Sequence, residues 1–244
     1  MRIDFGLFTD EGDRDKNEDS VRVGEKDGAK CFVLCDGLGG HGKGELASAF
    51  VSDYVKEYFL SCNDVDSFFE DVLDKAQEGL MNEQRRLGAQ FEMKTTATIL
   101  VIYGNKYRVA HIGDSRVYHF RKYKMLSRTL DHSVPQMLAL AGDIKEKQIR
   151  SHPDRNRLLR VMGVAWDSPR YELADEGELK NGDAFLLCSD GFWEPITEKE
   201  MCKALKKASG AHAWLDSMQQ TVRKNGEGTN MDNFSAIAVI CTDN

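Results

Sequence analysis

The sequence predicts an α+β protein built on two mainly antiparallel sheets, stacked on each other with helices outside. Three observations lead there. Apolar runs of strand length are joined by tight turns at Gly104-Asn105 and Gly113-Asp114, and links that short make neighbouring strands antiparallel. Helical patterns come in two separate pairs, one early and one late, which suits a helix layer on each outer face. No linker, repeat or low-complexity stretch divides the 244 residues, so one domain over 1–244 is expected.

Taken in order, Ile3 to Phe8 and Ser20 to Val23 read as short strands joined by an acidic loop. Cys31-Phe32-Val33-Leu34-Cys35 is a buried strand that ends on Asp36 and a glycine cluster running from Gly37 to Gly42. A helix is expected from Gly42 to Leu60, because Ala47, Phe50, Val51, Tyr54, Val55, Tyr58 and Phe59 fall at helical spacing. The next, Val65 to Leu87, carries Phe68, Phe69, Val72, Leu73, Ala76 and Leu80 on one face. Strands follow at Thr95 to Tyr103, Tyr107 to Ile112 and Arg116 to Phe120, and Ser133 caps a short helix ending at Ala141. The stretch Asp143 to Arg160 is irregular and basic, with six basic residues against three acidic. Strands at Tyr171 to Ala174 and Ala184 to Cys188 precede helices at Thr197 to Ala208 and Ala211 to Arg223. A glycine-rich loop, Asn225 to Gly228, leads to the last strand, Phe234 to Cys241.

Acidic residues recur at the ends of these strands. Asp36 is joined by Asn17-Glu18-Asp19-Ser20, Ser189-Asp190-Gly191 and Asp232-Asn233. A single acid at a strand end is an ordinary turn residue; four such clusters argue for a shared cation site. The rival reading is a P-loop, since Gly37 to Gly44 nearly spells G-x-x-x-x-G-K-[ST] between a strand and a helix, with Phe185 to Asp190 as a second acidic strand. Gly44 stands where a hydroxyl must hold the metal, and antiparallel turns do not belong to that fold.

These motifs, in order, resemble the metal-dependent protein phosphatase family, protein phosphatase 2C, in its compact bacterial form. The resemblance runs from about Phe5 to Cys241. It rests on Gly12-x-Arg14-x-x-Asn17-Glu18-Asp19-Ser20, Asp36-Gly37-x-Gly39-Gly40, Gly113-Asp114-Ser115-Arg116, His152-Pro153-x-Arg155-Asn156, Ser189-Asp190-Gly191 and Asp232-Asn233-x-Ser235. It implies an αββα four-layer sandwich and hydrolysis of phosphoserine and phosphothreonine in proteins. Two manganese or magnesium ions are implied, with a third possible. Hard cations of this kind take oxygen ligands. A pair about 3.5–4 Å apart activates a water and neutralises phosphoryl oxygens.

By the same resemblance Asp36 bridges the two ions and Gly37 lends its carbonyl. Glu18, Asp190 and Asp232 complete the set, with Asp19 orienting waters within it and Asn233 supporting Asp232. Arg14 anchors the phosphate, because a guanidinium fork matches two phosphate oxygens. Asp114 matches the acid that serves a third ion together with Asp190. Leu38 stands where animal members carry a histidine thought to protonate the leaving group, which leaves the general acid open. His41 reads as a helix-entry residue, and His132 and His152 as residues that fix loops. The basic segment Asp143 to Arg160 corresponds to the family's flap beside the active site. There Arg155, Arg157 and Arg160 have either steering or internal salt-bridging roles.

Composition sets outer bounds. A formal net charge of −7 argues against nucleic acid as a partner, and 41% hydrophobic residues argue for a packed core. Residues 1 to 20 hold seven acids against three basic residues. The six cysteines form no C-x-x-C pair, which speaks against structural zinc. Cys31, Cys35, Cys188 and Cys241 sit in apolar runs as free thiols would in a reducing compartment. No signal peptide or membrane helix is expected, so the reading is a cytoplasmic monomer whose partners are phosphorylated proteins, the products of a serine/threonine kinase. A binding module that has kept the fold without the activity is the non-enzymatic alternative.

Overall fold

A computed structural model describes residues 1–38 and 43–243. Its elements in chain order begin with β1 (Arg2–Asp10), β2 (Asp19–Lys26), β3 (Ala29–Leu38), α1 (Gly44–Ser61) and α2 (Val65–Leu87). The strands β4 (Lys94–Thr95), β5 (Ala97–Tyr103), β6 (Lys106–Ile112), β7 (Arg116–Arg121) and β8 (Lys124–Arg128) follow. Next come α3 (Val134–Ala141), a 3-10 turn over Glu146–Ser151, β9 (Glu172–Leu173), β10 (Gly177–Glu178) and β11 (Asp183–Cys188). The chain closes with α4 (Asp190–Trp193), α5 (Glu198–Lys207), α6 (Ala211–Gly226) and β12 (Phe234–Thr242).

The strands form two sheets, one ordered β1-β12-β11-β7-β8 and one ordered β10-β6-β5-β3-β2, with β4 on β3 and β9 on β6. Every registered pair is antiparallel, which removes the P-loop reading. Strand alternation then sorts the apolar residues into three cores. In β3, Cys31, Val33 and Cys35 face α1 and α2, while Phe32 and Leu34 meet Phe185, Leu187, Ile237 and Val239 of the other sheet. The far face of that sheet packs Tyr118, Phe120, Leu186 and Ala238 against Phe192, Trp193, Trp214 and Met218 of α4 and α6. Strands covered on both faces have no solvated side, so they read as unbroken apolar runs in the sequence.

Helix boundaries follow their caps. Asp64 accepts the Ser67 N–H at 2.8 Å to start α2, and Gly88 ends it in the left-handed region at φ 61°. Thr197 and Glu200 exchange the two hydrogen bonds of a capping box at the start of α5, and Ser133 caps α3 as expected.

Several expectations need correction. The strand expected to stop at Cys35 runs through Asp36 to Leu38, because Gly37 and Leu38 pair with β4. The expected strand from Thr95 breaks at Thr96, whose N–H and hydroxyl both turn to the Asp36 backbone. The loop expected over Asn225 to Gly228 begins two residues later, since α6 continues through Gly226. The expected start of α1 at Gly42, and Gly39, Gly40 and His41 before it, lie outside the described residues.

Candidate active site

All the acidic motifs open onto one end of the sandwich, where β3 leads to α1, β11 leads to α4 and the β1–β2 loop crosses over. Register supplies the centre: Asp19 of β2 lies directly opposite Asp36 of β3. Like charges directly opposed across a ladder destabilise a sheet, so this pairing has no structural rationale of its own. The Asp36 backbone is held on both sides, its N–H donating to Thr96 Oγ1 at 2.9 Å and its carbonyl accepting from Thr96 N–H at 2.8 Å. Gly37 follows with no room for a side chain: a Cβ there would lie 2.4 Å from the Gly44 carbonyl and 2.6 Å from that of Glu18. The glycine therefore lets α1 close on the strand, and Gly44, read in sequence as a defective P-loop residue, abuts the Glu18 carboxylate.

Ser189 joins the two sheets at this point. Its hydroxyl donates to Asp19 Oδ2 at 2.8 Å and accepts from Ser235 N–H at 2.9 Å. The next residue, Asp190, opens α4, and Gly191 packs against the Asn233 carbonyl with no space for a larger residue. Asn233 does more than support Asp232. Its Oδ1 accepts the Glu18 N–H at 2.8 Å, and its Nδ2 donates to the carbonyls of Glu11 and Lys16, each at 2.8 Å. One amide thus shapes the whole acidic loop. Arg14 forks Asp232 through two bonds of 3.0 and 3.1 Å, with both groups half-exposed. Arg14, expected to anchor phosphate, is here paired to a neighbouring carboxylate at the cleft. Asp114 arrives from the β6–β7 turn, and its carbonyl is held by the Trp193 indole N–H at 3.0 Å.

A cleft of about 620 Å³ is lined by Arg14, Glu18, Asp36, Gly37, Asp114, Asp190, Asp232 and Asn233, among others. Asp19 joins the group from behind through Ser189. Burial pushes Asp36 and Asp114 well above the usual carboxylate range, and neighbouring acids add to it: Asp19 and Asp190 on Asp36, Asp190 on Asp114. Burial likewise lifts Asp19 to about 7 and, with Asp232, Asp190 to about 6. Glu18 is raised by burial and by Glu45 and Asp232. Asp19 Oδ1 and Asp114 Oδ1 are buried and have no hydrogen-bond partner. Buried acids with open oxygens, gathered on one cleft, fit hard divalent cations: oxygen ligands are present and the missing positive charge is what they lack.

Sequence reasoning placed these acids but not their supports. Ser189, Thr96 and Trp193 carry no charge pattern that would single them out. Of the flap arginines, Arg155 pairs with Glu194, Arg157 with Asp154 and Arg160 with Glu172, so all three make internal ion pairs. His152 fixes its loop as expected, its Nδ1 accepting the Asp154 N–H at 3.1 Å. No described helix is long and apolar enough to cross a membrane. All six cysteines are free.

Comparison with known proteins places this geometry among relatives. A family model described as Protein phosphatase 2C matches residues 11–234. The serine/threonine protein phosphatase PstP of Mycobacterium tuberculosis is 32% identical over 225 residues, covering 88% of this chain and 40% of PstP. This chain therefore spans less than half of that relative. Protein phosphatase PhpP of Streptococcus pneumoniae is 30% identical, with 82% of each chain covered. Among solved structures, serine/threonine phosphatase Stp1 of Staphylococcus aureus superposes with a TM-score of 0.90 at 28% identity, over 100% of this chain and 96% of Stp1. The PstP catalytic domain in complex with 2 manganese ions superposes with a TM-score of 0.82 at 25% identity, over 99% of each chain.

The electrostatics generate a pH prediction. Unfolded aspartate titrates near about 4, and the folded values of Asp190 and Asp19 lie above it at about 6 and about 7. A raised folded pKa means stability that is complete at low pH and lost as pH rises through the folded value. In chelator, the melting temperature is therefore expected to fall between about pH 4 and about pH 7. Manganese at the upper end should restore it, since a cation that binds only the folded state stabilises it. A melting temperature that stays flat or rises over that range in chelator would contradict the picture.

Proposed function

The chain belongs to the protein phosphatase 2C family, and we propose that it hydrolyses phosphoserine and phosphothreonine in proteins with manganese or magnesium bound at the carboxylate cleft. The observation that carries this reading is the set of acids that five separate segments bring to one cleft, with Asp19, Asp36, Asp114 and Asp190 buried and the first two directly opposed in one sheet. Such an arrangement is unfavourable unless cations complete it. Asp36, the Gly37 carbonyl, Glu18, Asp190 and Asp232 are assigned as the residues that hold two ions, with Asp19 behind them and Asp114 available to a third. The bound ions supply an acidified water as nucleophile and positive charge for the phosphoryl oxygens.

The chain's own groups do the rest. Asp19, fixed by Ser189, is placed to orient water within the cluster. Asn233 keeps Glu18 and the Arg14 loop in register with Asp232. Arg14 is placed to exchange the Asp232 carboxylate for two phosphate oxygens, the same bidentate geometry with a different anion. Leu38 at the rim offers no proton to the leaving serine or threonine. Lys145 and Lys147 on the flap are assigned to drawing in an acidic phosphoprotein, a role the ion-paired Arg155, Arg157 and Arg160 are less free to fill. This casts the chain as a single catalytic domain acting on proteins phosphorylated by a serine/threonine kinase, in the cytoplasm, as a monomer.

Two experiments test the reading. Phosphate release from a phosphothreonine peptide should require manganese or magnesium and stop in EDTA. Asp36→Asn and Asp190→Asn should each remove nearly all of it with the fold intact. Undiminished turnover in EDTA would refute the mechanism and leave a metal-independent enzyme. The second experiment separates Arg14 from the ion ligands. Arg14→Ala should raise KM for p-nitrophenyl phosphate about tenfold or more, the effect of losing a charge-assisted pair, while manganese affinity measured by calorimetry stays near the wild-type value. Weakened metal binding in this variant would make Arg14 a structural partner of Asp232 instead.

A further inference from the structure

We propose that His132 is a positioning residue for Asp114, fixing the turn that presents this carboxylate to a cation. The inference rests on the assignment of Asp114 given above. Gly113 and His132 exchange two hydrogen bonds: the Gly113 N–H donates to His132 Nδ1 at 3.1 Å, and the His132 N–H donates to the Gly113 carbonyl at 2.9 Å. Gly113 is in the left-handed region at φ 104°, and a Cβ there would lie 2.5 Å from Thr96 Cγ2. The turn thus needs glycine, and glycine brings no side chain with which to anchor itself. The anchor comes from outside.

The residue before His132 holds the other end of the same turn. Asp131 accepts two bonds from Arg116, at 2.8 and 2.6 Å, with both side chains buried. Adjacent residues Asp131 and His132 therefore grip Arg116 and Gly113, the two ends of Gly113-Asp114-Ser115-Arg116. Trp193 holds the Asp114 carbonyl between them. Every restraint is on the backbone or on the neighbours of Asp114, while its carboxylate Oδ1 stays without a partner. That division suits a ligand whose carboxylate is reserved for an ion.

The tautomer of His132 follows from these bonds. An Nδ1 that accepts the Gly113 N–H has no hydrogen, so the neutral ring carries its hydrogen on Nε2. Burial, with the stacked His111 ring at 4.7 Å, keeps the His132 pKa down at about 4, so the ring is neutral near pH 7. Nε2 faces Glu172 Oε1 at 3.2 Å without the alignment of a hydrogen bond. His111, His132 and Glu172 lie close enough together to pass for a metal site of their own. The tautomer argues against it, because a histidine ligand ordinarily donates from its second nitrogen, and here that nitrogen accepts.

Manganese calorimetry on three variants tests the proposal without relying on turnover. The wild type should show a weak binding event besides the tight ones, and Asp114→Ala should abolish the weak event alone. In His132→Asn the amide oxygen takes the place of Nδ1 and keeps an acceptor for Gly113. In His132→Leu the volume is kept and the acceptor lost. The weak event is expected to stay within about threefold of wild type in His132→Asn and to weaken about tenfold or more in His132→Leu, the effect of one lost bond to a buried donor. A residue that merely packs would give the opposite order, since buried leucine is better tolerated than buried asparagine. Wild-type strength in His132→Leu, or an Asn variant no better than Leu, would overturn the inference. Should His132→Leu fail to fold, His132→Asn decides alone: a preserved weak event supports the proposal and a lost one overturns it. If the wild type has no event that Asp114→Ala removes, the assignment of Asp114 itself falls, and this inference with it.

Discussion

The structure depends on one electrostatic constraint: several carboxylates are brought out of water at the same end of a sandwich, with Asp19 and Asp36 facing each other across a ladder. Burial and mutual repulsion both raise their pKa values, so neither solvent nor protein satisfies the charge fully. Nearby supports serve to hold these groups in place despite the cost. The Thr96 backbone and hydroxyl fix Asp36, Ser189 fixes Asp19, and Asn233 fixes the loop that carries Glu18. The glycines at 37, 44 and 191 allow the chain segments to come that close. A fold that only needed stability would replace this end with apolar residues of similar volume.

Much of this was legible because the same physics leaves marks in sequence. Strands covered on both faces must be apolar at every position, so Cys31 to Cys35 and Ala184 to Leu187 stood out. Acids at strand ends recur in four clusters, two of them with the acid directly before a glycine, and that recurrence located the cleft. Elements without a buried face were harder to see. The strand β8, Lys124–Arg128, is almost wholly exposed and has no clear alternation, so it was not anticipated. The same is true of the two-residue strand β10, whereas β9, Glu172–Leu173, lies inside the strand expected over Tyr171 to Ala174. The four-residue helix α4 is too short to show a period.

Roles were less legible than positions. Asn233 was placed beside Asp232, yet its side chain serves the acidic loop more than two hundred residues earlier in the chain. Arg14 was read as a phosphate anchor, and its pairing with Asp232 was not visible in the sequence; an exposed guanidinium beside a carboxylate forms the fork available to it. His132, read as a loop residue, fixes a loop that matters, since Asp114 follows directly on the glycine it holds. Each of these depends on which segments meet in space, and no local pattern records that. The flap arginines make the same point: their charges were visible, and their internal partners Glu194, Asp154 and Glu172 were not.

The central claim is that this carboxylate cluster is a binding site for a pair of divalent cations. Anomalous diffraction from crystals soaked in manganese tests it most directly, because it locates the ions without reference to activity. The account predicts two strong peaks within coordination distance of Asp36, about 3.5–4 Å apart, with Glu18, Asp190 and Asp232 around them and Arg14 turned toward the open side. Crystals that take up manganese elsewhere and leave Asp36 without a peak would contradict it.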